Sequence, residues 1–154
     1  MAVPAARTPV VFIHGLWLHA DSWKPWIDLF RAAGYDPIAP GWPGDSPTVA
    51  ESNAHPERIA NVGIDDVVEH YAAIIRKLPA KPIVIGHSFG GLVAQKLLGM
   101  GLETRWDVEL DNASLSILDG DRDSWRLVSW NDVTHLLGQV AVHVDEEEGE
   151  PLAL

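Results

Sequence analysis

The chain has 154 residues, 47% of them hydrophobic, and no cysteine. This composition suits a single globular domain with a core of its own, and it excludes disulfides, thiolate metal sites and a cysteine nucleophile. The formal charge is −11, with 3 basic and 13 acidic side chains in residues 101–154, so a phosphate backbone is an unfavourable partner and no nucleic acid is expected. The first residues, MAVPAARTPV, hold one arginine and no apolar block, so no secretory signal is expected. No run is long and apolar enough to span a bilayer, so no membrane partner is expected, and the lack of cysteine suits a cytoplasmic setting.

Residues 8–15, TPVVFIHG, form a continuous β-branched apolar run ending in glycine, which predicts a buried parallel strand. After a loop, LWLHAD, the spacing predicts a helix over 22–34. Ser22 is its cap, Pro25 lies in its early turns, and Trp23, Trp26, Ile27 and Phe30 share one face. Residues 35–42, YDPIAPGW, predict a second strand whose prolines place it near a sheet edge. A long polar loop, PGDSPTVAESNAHPE, follows. Ile64, Val67, Val68, Tyr71, Ile74, Ile75 and Leu78 then recur at helical spacing over 63–78, and Pro79 stops that helix. KPIVIGHS, residues 81–88, is the third strand, and LVAQKLLGMG opens a third helix. The alternation of strands and helices predicts an α/β fold with a parallel sheet and right-handed crossovers.

The texture changes after residue 102. ASLSILDGDRDSWRLVSW alternates around an Asp- and Gly-rich turn, with Leu115, Ile117, Trp125, Leu127 and Val128 as anchors, and predicts an antiparallel hairpin. NDVTHLLGQVAVHV adds a turn and a strand. Three parts are therefore expected. Residues 1–100 hold the α/β segment, 101–144 a hairpin-containing segment packed on the same sheet, and 145–154 a disordered acidic tail.

One stretch carries chemistry. Gly86-His87-Ser88-Phe89-Gly90 matches G-x-S-x-G between a predicted strand and a predicted helix, the setting of a nucleophile elbow. A sharp turn there exposes Ser88 at the carboxyl end of the strand, and glycine on both sides removes Cβ atoms that would clash. The Phe89 amide, at a helix start, faces any oxyanion formed by attack from Ser88. A second donor is expected from FIHGLW, where Gly15 lets the chain turn away; Leu16 is the preferred amide and Trp17 the alternative. His14 and His87 flank the strand ends and are expected to support the loops rather than serve as bases. The histidines at 19, 55, 70, 135 and 143 show no metal-ligand spacing, and no metal is expected. Trp23 and Trp26 are core residues first, with a substrate pocket as the alternative.

Residues 9–100 resemble the N-terminal part of the α/β-hydrolase fold family, in its small-esterase and haloperoxidase-like branch. The stretches that carry the resemblance are VVFIHGLWLHADSW, GYDPIAPGWPGDS and VIGHSFGGLVAQKLLG. It implies a serine hydrolase acting on an ester-like small molecule without a cofactor, with Ser88 as nucleophile and the amides of Leu16 and Phe89 as oxyanion hole. That family orders its triad Ser, acid, His; in this chain the order is met by Ser88, then Asp119, Asp121 or Asp123, then His135. Asp119 is taken as acid and His135 as base. The tail GLETRWDVELDNASLSILDGDRDSWRLVSWNDVTHL resembles the C-terminal end of the histidine phosphatase superfamily, although Ile13 stands where that family's Arg-His-Gly motif needs arginine. Two alternatives therefore stand beside the hydrolase: a non-catalytic chimera or fragment without a full triad, and a degenerate histidine-phosphatase-like protein. A truncated sheet also leaves an edge open to pairing between copies of the chain.

Overall fold

The computed structural model describes residues 7–99, 111–120 and 125–137. The expected acidic tail, the candidates Asp121 and Asp123, and the strand expected after residue 137 lie outside the described residues. The described chain falls into two units, one of residues 7–99 and one holding most of a β-hairpin.

The first unit is a three-stranded parallel sheet with β1 (Pro9–Ile13) in the centre, β2 (Asp36–Ile38) on one side and β3 (Ile83–Gly86) on the other. All of β1 is buried, as its unbroken apolar run requires. Successive side chains of a strand point to opposite faces, and β1 uses both. Val11 and Ile13 pack with Val67 and Tyr71 of α3 (Ile64–Ile75) and Val93 of α4 (Phe89–Leu97). Phe12 meets Trp23 at 4.6 Å and Phe30 of α1 (Lys24–Ala32) at 5.2 Å between ring centroids. Helices therefore cover both faces of the sheet. Each fully buried side chain of this kind contributes roughly 1.5–3 kcal/mol. Pro37 pairs with Val10 on β2, an edge strand, where its missing N–H leaves no gap in a central ladder.

The observed elements are shorter than expected at several ends: α3 stops at Ile75 rather than residue 78, β2 covers only Asp36–Ile38 and β3 only Ile83–Gly86. Other differences have visible causes. The helix expected from Ser22 begins at Lys24 instead, preceded by a 3-10 helix (Ala20–Trp23) whose Asp21 amide donates to His19 Nδ1. The segment expected as one polar loop contains α2 (Val49–Ala54), because Thr48 Oγ1 accepts a hydrogen bond from the Glu51 amide and caps it. The helix expected from Leu92 starts at Phe89, directly after Ser88. Gly90 and Gly91 lower its intrinsic propensity but let it pack close to β1 and β3. On the far side, Lys96 of α4 pairs with Asp65 of α3.

The second unit is a two-stranded sheet of β4 (Leu115–Gly120) and β5 (Trp125–Asp132). Asp119 meets Arg126, and Ser116 accepts from the Asn131 amide. The contacts run in opposite chain order, as in an antiparallel pair. No described side chain of either strand is buried. Among the described residues no helix is long and apolar enough to cross a membrane.

Candidate active site

Ile13 lies level with Gly86 in the parallel ladder, so β1 and β3 end together at one edge of the sheet. Both loops that follow begin there. The His87 amide donates to the Ile13 carbonyl at 3.1 Å and extends the pairing one step past β3. The chain then turns sharply at Ser88, which has φ 54° and ψ −120°. Such angles cost a residue with a Cβ about 1–3 kcal/mol. The surroundings hold it there. Gly90 and Gly91 amides donate to the carbonyls of His87 and Ser88 at 2.9 and 2.8 Å. A Cβ on Gly86 would lie 2.2 Å from the Gly90 carbonyl oxygen, and one on Gly90 would lie 2.3 Å from that of Ile13. Main chain therefore packs directly on main chain at both glycines of the motif.

Ser88 is exposed, and its hydroxyl has no hydrogen-bond partner among the described residues of its unit. No imidazole of that unit bonds to it. The Phe89 amide, first in α4, has no backbone acceptor among the described residues, as expected of a helix start. The loop after β1 passes close by: a Cβ on Gly15 would stand 3.1 Å from Ser88 Cβ. The Leu18 amide closes that loop onto the Gly15 carbonyl at 3.2 Å, which leaves the Leu16 and Trp17 amides without acceptors among the described residues. Trp17 has a positive φ of 66° and is 92% exposed.

His14 is buried with both ring nitrogens engaged. Nδ1 donates to the Gly15 carbonyl at 3.0 Å, and Nε2 lies 3.1 Å from an Asp45 carboxylate oxygen. The same oxygen accepts from the Trp42 amide at 2.8 Å, and the Trp42 indole stacks on the His14 ring and donates to the His14 carbonyl. Asp45 thus ties the loop after β2 to the loop after β1, a role that no residue was given from sequence. The available signal was the Trp-Pro-Gly-Asp turn, residues 42–45, just past a strand end. Tyr71 donates to the Pro40 carbonyl at 2.8 Å, and burial, with a smaller effect of Asp45, pushes its phenol above its ordinary value. His87 is exposed and carries no hydrogen bond through its ring among the described residues. A cavity of about 250 Å³, lined by Leu18, Ser22, Trp23, Trp26 and His87, opens beside the elbow. A larger one of about 480 Å³ lies by His19, Asp45 and His70, and neither has Ser88 in its walls. Among the described residues no three His, Asp or Glu side chains gather as a metal ion would need.

In the hairpin unit the Asp119 carboxylate accepts from Arg126 Nε and Nη2 at 3.2 and 3.1 Å. His135 sits in a short 3-10 helix (Thr134–Leu136). No hydrogen bond joins it to Asp119 among the described residues. Asp132 is held below its ordinary value by the hydroxyl and amide of Thr134, with a smaller contribution from His135.

The model of the alpha/beta hydrolase family matches residues 10–149. That match runs through the segment that resembled a histidine phosphatase, and no comparison supports the phosphatase resemblance. Two solved structures are similar. One is a pyrethroid hydrolase, 24% identical over 60% of this chain and 34% of that one, with a TM-score of 0.47. The other is a monoacylglycerol lipase of Paleococcus ferrophilus, 29% identical over 59% of this chain and 34% of that one, also with a TM-score of 0.47. The chain spans about a third of the length of either. Among curated proteins none matches.

Proposed function

Because the chain belongs to the alpha/beta hydrolase family, we propose that it is a serine hydrolase of ester-like small substrates, with Ser88 as nucleophile and the amides of Leu16 and Phe89 as oxyanion hole. Ser88 Oγ attacks the ester carbonyl carbon, and the carbonyl electron pair moves onto oxygen between the two amides. Collapse of that tetrahedral species expels the alcohol. The base that takes the Ser88 proton returns it to the departing oxygen, and water then repeats the sequence to release the acid. Chain order gives the base role to His135 and the orienting role to Asp119, through its Oδ1, since both Arg126 bonds go to Oδ2.

The observation that carries the reading is the Ser88 turn itself: a strained backbone, a hydroxyl without a partner and a helix amide at its side. A second reading, an elbow that binds without turnover, is favoured by the engagement of Asp119 with Arg126 rather than with His135.

A fluorophosphonate followed by intact-protein mass separates the two. Labelling of one site, lost in Ser88→Ala and slowed about 100-fold or more in His135→Ala, is the outcome expected of the hydrolase. Folded protein that takes no label supports binding without turnover. Labelling at an unchanged rate in His135→Ala removes His135 from the mechanism.

A further inference from the structure

We propose that the cavity bounded by Leu18, Ser22, Trp23, Trp26 and His87 receives an aromatic group of the substrate and so sets which esters react at Ser88; this rests on the serine hydrolase reading above. Position comes first. His87 is the residue before the nucleophile, and Leu18 closes the turn that presents the Leu16 amide. The cavity thus borders both loops that flank Ser88, although Ser88 itself is not in its walls.

Size comes second. About 250 Å³ falls below the roughly 300 Å³ at which pockets enclose a whole small ligand. It exceeds the roughly 150 Å³ that holds benzene in an apolar cavity. The space fits one ring with its linking atoms.

The walls come third. Trp23 and Trp26 meet edge to face, with ring centroids 6.2 Å apart and planes at 74°, so the two indoles form a corner. A flat ring entering it stacks on one indole and meets the edge of the other, the two arrangements aromatic pairs favour. Trp23 is fixed from behind by Phe12 at 4.6 Å, so that wall exists before any ligand arrives. Leu18 adds an aliphatic side, and only Ser22 and His87 bring polar side chains. No lining residue is Asp, Glu, Lys or Arg, so the walls are mainly aromatic and aliphatic.

The test uses two fluorophosphonates that differ only in a benzyl or a methyl arm, with fluoride as leaving group in both. The benzyl compound is expected to label Ser88 at least tenfold faster. Ser22→Trp, which fills the cavity from an exposed position, is expected to bring the two rates within about twofold. Trp26→Ala, which removes one indole wall at a half-exposed site, is expected to lower the ratio as well. Equal rates in the unaltered chain, or a ratio that survives both substitutions, overturns the proposal. Saturation-transfer NMR with methyl phenylacetate reads the cavity without chemistry. A signal present in the unaltered chain and in Ser88→Ala but lost in Ser22→Trp supports the cavity even where neither compound labels, in which case the nucleophile reading alone fails. No signal in the unaltered chain sinks the cavity while leaving Ser88 labelling to stand by itself.

Discussion

The two units of this chain hold their candidate residues by different means. Every residue of β1 is shut off from solvent, and the Ser88 turn is pinned between that strand and α4 by main-chain contact. In the hairpin no described side chain of β4 or β5 is buried, and Asp119 and His135 are placed by surface bonds to Arg126 and by a single 3-10 turn. An isolated two-stranded sheet is marginal in water. Exposed ion pairs such as Asp119–Arg126 are worth about 0–1 kcal/mol. The turn that carries the proposed nucleophile is thus over-determined by packing, and the described contacts of the proposed acid and base are few.

Substitutions sharpen or break that contrast. The largest effect is expected from Phe12→Ala, which empties the space between the sheet and α1. It should cost about 3–5 kcal/mol in urea unfolding. Gly90→Ala should cost about 3 kcal/mol, because its methyl group meets the Ile13 carbonyl and neither strand nor helix can yield without opening the core. Ser88→Gly should act in the opposite direction. It relieves the positive φ and raises stability by about 1 kcal/mol, or about 2–4 °C in Tm, while abolishing fluorophosphonate labelling. Ile117→Ala, at a half-exposed position of β4, should change stability by no more than about 0.5 kcal/mol. A hairpin substitution as costly as Phe12→Ala would show that β4 and β5 belong to the same cooperative core, and the contrast would fall.

Much of the first unit was legible in the sequence because its signals are local. The run PVVFI needs no tertiary information to read as a buried strand, and the stripe from Ile64 to Leu78 declares a helix by period alone. G-x-S-x-G in a strand–helix setting marks the elbow, since few arrangements besides a close backbone approach ask for both glycines. Where reading failed, the deciding contact was distant or the local signal was weak. VAESNA is too short and too polar to show a period, although Thr48 and Glu51 carried the spacing of a cap. The glycines after Ser88 look like loop residues until Ile13 is known to lie against Gly90. Asp45 shows in the sequence only as the end of a Trp-Pro-Gly-Asp turn, because its partners His14 and Trp42 come together only when β1 and β2 align. For Asp119 and His135 the sequence offers chain order alone, and order does not fix whether Arg126 or His135 takes the carboxylate.

One consequence of the glycine contacts concerns how such a protein can change. The placement of the Ser88 oxygen is written in peptide groups: Gly86 against Gly90, Gly90 against Ile13, His87 bonded to Ile13. Exchanges at Leu18, Ser22 or Trp26 alter the walls around the oxygen without touching the frame that aims it. If the proposed site and cavity hold, selectivity and reactivity are separable in this scaffold, and a lineage or an engineer can rewrite the one while inheriting the other.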